Sequence, residues 1–372
     1  TITLPSSAEK GDQIVLIDYA RTWGTNKIII DSNGLNFQGN ADTYTVEYTT
    51  SGQSVNLIYS DSTKGWIPLE DDVVADEPVA PPTQRAIFAF GGIDGNVINA
   101  SNLVNSSGVI GSDVTGVGTA RKQLAAAGYG GDKAIFAFGK NQAGTKLSMT
   151  NLVSNSGVVA SDTTGTSTAN QSMGAATYGV DKAIFAFGYT SGNTNTRNLV
   201  NSSGVMSAAV SGAGSARHDL AATGYGTPAD GTAIMAYGYI SGSTAVSNLV
   251  NNVGVVASDT GGVGTARQNL AAARYGADKA LFAFGTGAVN TRNLVSNSGV
   301  VAADASGAGT ARFYVGAAMY GGDKAVIAFG TTNSDFLSLK NLVSNLGVVS
   351  ADVTGVGTGR IQTAASGYGY SA

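Results

Sequence analysis

Five arginines recur along this chain, Arg121, Arg217, Arg267, Arg312 and Arg360, with Asn170 at the corresponding sixth place. A ring of guanidinium groups could grip a carboxylate or an acidic sugar, because the planar fork of donors matches such anions in a bidentate manner. Five aspartates recur just as often, Asp113, Asp162, Asp259, Asp304 and Asp352. The matching numbers point to ion pairs between successive repeats, which makes the arginines structural. A second group sits where the repeats differ in length and type: Asp94, Asn96, Lys140, Asn141, Tyr189, Asn193, Tyr239, Asn290, Asn333 and Phe336. Amides, hydroxyls and aromatic rings of this kind suit hydrogen bonding to and stacking on a glycan, so these residues are the candidate binding positions. The single histidine, His218, stands beside Asp219 with no serine nucleophile implied, and is read as incidental.

Composition removes most catalytic chemistry. The 372 residues contain no Cys and one His, so disulfides, thiolate metal sites and multi-histidine clusters are excluded, and no cofactor or metal is expected. Glycoside cleavage needs paired acids, and loop acids such as Asp94 and Asp335 have no evident partner. Net charge is −4 without a basic block, which argues against nucleic acid. No apolar run reaches the roughly 20 residues that cross a bilayer, so membrane insertion is not expected. The chain begins at Thr1 without a methionine or a recognisable signal peptide, as a processed product or a segment of a longer polypeptide would.

Stepping from those residues to the frame that must hold them, one unit recurs six times. A leucine within Asn-Leu-Val lies at Leu103, Leu152, Leu199, Leu249, Leu294 and Leu342, and the arginine position follows each by the same interval. A tyrosine then closes each unit, at Tyr129, Tyr178, Tyr225, Tyr275, Tyr320 and Tyr368. Within a unit, short apolar runs bounded by Gly, Asn and Ser read as four strands. The Ala-Gly-rich run Leu124 to Gly128 suits the crowded innermost place. Ala134 to Phe138 comes next, then Thr150 to Ser154, then Val158 to Asp162 outermost. Four-stranded units repeated around an axis make a β-propeller. The array starts at Arg85 with a second-type strand and ends at Arg360 to Tyr370 with an inner one, so the C-terminal strand completes the first unit and leaves no open edge.

The run Thr119-Ala120-Arg121, Leu124 to Tyr129, Asp132-Lys133 and Ala134 to Gly139 resembles the kelch repeat: arginine, inner strand, Gly-Asp-Lys turn and an aromatic strand ending in glycine. Gly91-Gly92 alone keeps the paired glycine, and no unit has the kelch tryptophan. A copper-radical oxidase on such a scaffold would need a cysteine and histidines absent here. Residues 1–68 form a different region, whose runs Ile14 to Ile17, Lys27 to Ile30, Leu35 to Phe37, Tyr44 to Tyr48 and Ser54 to Tyr59 suggest a small antiparallel β domain. Gly11 to Val15, Tyr19-Ala20, Asn26 to Asp31, Val55 to Tyr59 and Lys64-Gly65-Trp66 resemble modules of bacteriophage tail-fibre and virion structural proteins. Ser60 to Trp66 has the wrong spacing for a sialidase Asp-box. Residues 69–84, acidic and proline-rich, read as a semi-extended linker.

The resulting expectation is an all-β chain: a small attachment domain (1–68), a linker (69–84), and a six-bladed kelch-like β-propeller closed by its C-terminal strand (85–372). The resemblance implies a non-enzymatic virion protein on the exterior of a phage particle, a tail fibre or spike engaging a host glycan or protein receptor. It implies attachment to other virion proteins through the N-terminal domain, and a homo-oligomer such as a trimer. The alternatives are a passive head decoration and, less favoured, a glycan-active enzyme. The insertion Thr227-Pro228-Ala229-Asp230 is read as tolerated.

Overall fold

The computed structural model describes residues 1–42, 45–69, 84–165 and 167–369. Those residues are all-β, with no helix among them. They fall into two compact units, Thr1–Pro81 and Pro82–Ala372. The expected linker lies, between its ends Leu69 and Gln84, outside the described residues.

The first unit holds two three-stranded sheets. One joins Gln13–Ile17, Ser54–Tyr59 and Trp66–Pro68, all antiparallel. Alternation within Ser54–Tyr59 buries Val55, Leu57 and Tyr59 on one face, as a half-buried strand requires. The other joins Ile2–Thr3, Ile28–Asp31 and Val46–Tyr48, and here the expectation of a purely antiparallel domain fails, because Ile2 and Thr3 pair parallel to Ile30 and Asp31. This short strand leads in from the chain start with no hairpin turn to fix it antiparallel. Leu35 to Phe37 is not a strand either: Phe37 makes only single bridges, to Asn40 and Trp66. Tyr44 lies outside the described residues.

In the second unit each repeat builds one sheet. Ala125–Tyr129, Lys133–Ala137 and Thr150–Val153 form the second, and the pattern returns through Gly174–Tyr178, Ala221–Tyr225, Ala271–Tyr275 and Gly316–Tyr320 with their partners. The first sheet takes its inner strand from the far end of the chain: Ala364–Tyr368 pairs with Arg85 to Ala89, and Arg85–Ile93 with Asn96–Val104. Every inner strand lies beside the next, and Ala364–Tyr368 lies beside Ala125–Tyr129, so the series returns to its start. Six apolar cores lie between successive sheets, including one between the sixth and first (Phe329, Tyr320 with Phe88, Val104). Each sheet is open, and none closes on itself.

Crowding between sheets accounts for the small residues. The ring of Tyr129 lies over Gly204 in the turn of the next sheet, so closely that a Cβ there would stand 2.9 Å from it, and Gly204 also has φ +82°. Tyr178 on Gly254 and Tyr368 on Gly157 repeat the contact. The constant place of the tyrosine is therefore an inter-sheet packing constraint.

The fourth strand differs from expectation. Only Val210–Ser211 and Ala305–Ser306 form one. In the second sheet the equivalent segment touches the third strand at the single bridges Thr150 to Thr163 and Val153 to Val159. Between them the Asn151 side chain takes the Ala160 carbonyl at 2.9 Å, so a side-chain amide replaces part of the backbone ladder.

Candidate functional site

The recurring arginines hold the loops. Arg121 is fully buried. Its Nε donates to the Phe138 carbonyl at 2.9 Å, Nη1 to that of Thr119 at 3.2 Å, and Nη2 to Asn151 Oδ1 at 2.6 Å. Asp162 lies 3.7 Å from Nη1 and accepts from Asn151 Nδ2 and from the Thr119 N–H and hydroxyl. All these groups belong to one sheet. The pairs Arg217–Asp259, Arg267–Asp304, Arg312–Asp352 and Arg360–Asp113 follow suit, so the ion pairs lie within sheets rather than between them. What passes between sheets is the stacking of each guanidinium over the aromatic ring ending the preceding second strand: Arg121 on Phe90 at 4.2 Å, Arg217 on Phe187 at 4.0 Å. Burial pushes the pKa of Arg121, Arg217, Arg312 and Arg360 down to about 10, against the pull of their aspartates. They remain charged at neutral pH and are closed to solvent, so they form no anion-gripping ring.

The third sheet lacks both members of the pair. Asn170 replaces the arginine and reaches the Phe187 carbonyl at 3.0 Å, and Ala209 replaces the aspartate. Ser167 stands where the other sheets have glycine, and its hydroxyl accepts from Asn198 at 2.7 Å, as the carboxylate does elsewhere. In the second sheet a side chain at Gly118 would collide with Asp162 Oδ1. Carboxylate and guanidinium were lost together, as expected where either alone would leave a costly buried charge.

This frame delivers two rings of side chains to one end of the strands. Each second strand ends on an aromatic residue in the left-handed region, Phe90, Phe138, Phe187, Tyr237, Phe284 or Phe329, at φ 62 to 65°. The turn sets the following loop residue against the residue after the arginine position: Lys140 pairs with Lys122, Tyr189 with Gln171, and Tyr239 with His218. One residue further, Gln123, Ser172, Asp219, Asn269, Tyr314 and Gln362 also take left-handed backbone. Their N–H groups reach from one to the next, Ser172 to the Gln123 carbonyl at 2.8 Å and on through Gln362 to Tyr314 at 3.2 Å. These six line a cavity of about 100 Å³ floored by Leu124, Met173, Leu220, Leu270, Val315 and Thr363.

Of the candidate residues, Tyr189, Asn193 and Tyr239 come together, around His218. The imidazole lies between the two tyrosines at 5.2 and 5.3 Å. Its Nδ1 is 2.7 Å from Asn193 Oδ1, and Nε2 is 3.5 Å from Asp219. Asn193 also donates to the Ile240 carbonyl, tying two loops. Burial pushes the Asp219 carboxyl up, opposed by Ser172, His218 and Lys140. Lys140 is pushed down, first by burial and then by Lys122 and Lys146, against the pull of Asp219. Lys146 itself lies 5.3 Å over the Tyr189 ring.

The other candidates are braces or stand apart. Asp94 and Gly95 form the tip of a hairpin, both at positive φ, and Asn96 bonds back to Asp94. That hairpin is pinned by Gln142 to Val97 and Gly95. Asn141 accepts from Thr145 N–H within its own loop, and Asn290 donates to Gly307 and Gly309. Phe336 bridges Thr331, whose hydroxyl accepts from Asn333 N–H. The Thr227–Asp230 insertion is braced by its own Asp230. Asp61, in the Asp-box look-alike, caps a turn through Thr63 and Lys64 N–H. Sequence reasoning passed over His218 and the six-residue ring. Their signal was variation beside a constant arginine: the next residue reads Lys, Gln, His, Gln, Phe, Ile, and the one after it Gln, Ser, Asp, Asn, Tyr, Gln.

No protein-family model matches this chain, and no curated protein matches it.

Proposed function

We propose that residues 85–372 form a six-bladed, kelch-like β-propeller, and that the chain is a non-catalytic virion appendage of a bacteriophage, a tail fibre or spike that engages the host surface. In this reading residues 1–68 attach it to other virion proteins and the propeller's loop face recognises a glycan or protein receptor. The cyclic order of inner strands and the six inter-sheet cores support the propeller. The observation that carries the binding role is the loop face itself: there the six repeats cease to be alike, and Tyr189, His218, Tyr239 and Asn193 assemble beside the axial cavity. The chain enters this unit at the other end of the strands, where Gln84 accepts from Gly321 and Gly322 N–H, so the loop face points away from the entry. His218 faces Asn193 with one nitrogen and Asp219 with the other, which suits a wall of a binding site better than a general base.

The full chain, added in excess, should reduce attachment of the phage to its host, and labelled antibody should decorate the tail in electron micrographs. Label confined to the head would support the passive decoration instead, and released oligosaccharide would overturn the non-catalytic reading.

A further inference from the structure

We propose that the loop face recognises a saccharide carrying an anionic group, a carboxylate or a phosphate, with Lys122, Lys140 and Lys146 holding the charge and the Tyr189–His218–Tyr239 wall taking the apolar face of the sugar. This deepens the host-binding role proposed above and rests on it.

Most lysines of the second unit are already engaged. Lys133, Lys182, Lys279 and Lys324 each pair with the aspartate just before them, in turns at the other end of the strands. Lys340 is buried and donates to the Gly108 carbonyl. The remaining three have no ion pair among the described residues, and they lie together. Lys122 and Lys140 exchange backbone hydrogen bonds at 3.0 and 2.9 Å, and Lys140 bridges Lys146. All three are half-buried. In a chain with 12% charged residues and net charge −4, three adjacent ammonium groups without a salt bridge, opposed by the Asp219 carboxylate alone among the charges acting on Lys140, form a locally positive spot.

Next to that spot stands a surface suited to a sugar. Tyr189, under the Lys146 ammonium, begins a row of three rings continued by His218 and Tyr239. His218 already fills the gap between the tyrosines, so no slot is left to take an intercalated nucleobase. An aromatic wall flanked by hydrogen-bonding side chains suits the C–H face and hydroxyls of a pyranose. Asp219 and Asn193 supply acceptors and donors at its border, and Gln123, at the rim of the axial cavity, carries a buried Oε1 with no partner. Anionic charge, hydroxyl donors and an apolar face are thus called for within one patch.

The full chain is to be tested on an array of immobilised saccharides, half bearing a uronate, sialate or phosphate and half their neutral counterparts, with a single-stranded oligonucleotide alongside. Retention on acidic sugars only, weakened by added salt and about tenfold by K140Q/K146Q, is expected. Y189A should also weaken it, whereas K182Q should leave it unchanged. Uronate and phosphate spots separate the two sources of charge. Preference for neutral sugars, indifference to the lysine substitutions, or stronger retention on the oligonucleotide would overturn the proposal. Undiminished competition for host attachment by K140Q/K146Q would overturn the anionic class while leaving the host-binding role standing. Failure of the unaltered chain to compete at all would remove both.

Discussion

The joint replacement of arginine by Asn170 and of aspartate by Ala209 predicts the outcome of a double-mutant cycle in the second sheet. Asp162→Ala removes three hydrogen bonds to a carboxylate about 25% exposed. Hydrogen bonds to charged groups contribute about 1.5 to 3 kcal/mol each, and partial exposure reduces that to about 1 each, so the variant should lose about 3 kcal/mol. Arg121→Asn removes the bonds to Phe138 and Thr119, that to Asn151, and the stack on Phe90. A similar loss of about 3 kcal/mol is expected, since Asp162 is left without its cation but can hydrate. If the groups stabilise chiefly one another, the double variant should lose about 3 to 4 kcal/mol, a coupling of about 2 to 3. Urea unfolding followed by far-ultraviolet circular dichroism gives the midpoints. Both tryptophans, Trp23 and Trp66, lie in the first unit, so their fluorescence should not shift and serves as an internal control. Additive losses, to within about 0.5 kcal/mol, would refute the reasoning and reduce the third sheet to an accident of sequence.

Three further outcomes follow from the same geometry. Burial pushes Asp113, Asp162, Asp259, Asp304 and Asp352 up, but hydrogen bonds from the neighbouring Thr or Ser and Asn, with the arginines, hold all five below the ordinary 3.8. The unfolded chain therefore binds protons first, so this contribution is intact above about pH 4 and is lost as pH falls through the lowered values; a urea midpoint that rose between pH 5 and 3 would contradict it. Asp219 is shifted the other way, chiefly by burial, so its ionised form costs stability at neutral pH; Asp219→Asn should unfold no earlier than the parent at pH 7, with any gain vanishing in acid. A midpoint loss above about 1 kcal/mol at pH 7 would show instead that the carboxylate braces the fold. Ending the chain at Thr363 removes the partner of Arg85–Ile93 and bares an apolar edge, and size-exclusion chromatography should report aggregate; a folded monomer would show that closure contributes little.

Much of the frame was readable because repetition acts as an internal comparison. The arginine and tyrosine positions recur at fixed intervals from the leucine, and the structure gives each a packing reason. Whether arginine and aspartate pair within a sheet or across two was harder, since Arg121 has Asp113 eight residues before it and Asp162 well after it. The joint presence of Asn170 and Ala209 in place of arginine and aspartate selects the later partner, because pairing with the earlier one would leave Arg217 facing Ala209 and Asp162 facing Asn170. The surroundings of His218 were not legible for a different reason: nothing local announces that Tyr189 and Tyr239, 29 and 21 residues away, are brought to either side of it by left-handed turns ending two different strands. The parallel Ile2–Thr3 pairing likewise depends on where the chain start travels, which no short motif encodes.

Those left-handed turns explain how one molecule keeps a fixed frame and a variable face. An aromatic side chain at φ near 63° is disfavoured by about 1 kcal/mol or more, yet all six repeats retain it. The geometry shows why. The strained residue turns its carbonyl to the arginine Nε of its own sheet in four repeats and to Asn170 in a fifth. Its ring underlies the guanidinium of the next sheet in five. A substitution there would lose the inter-sheet stack, and the carbonyl it turns to the arginine fixes its left-handed backbone, so the position is held. The residue two places on, by contrast, enters the loop with its backbone already committed to pairing, as Tyr189 N–H is to the Gln171 carbonyl, and no one side-chain contact recurs there across the repeats. Glycine, lysine, tyrosine and threonine all occupy it. Strain stored beneath the face is what leaves the face itself free to vary.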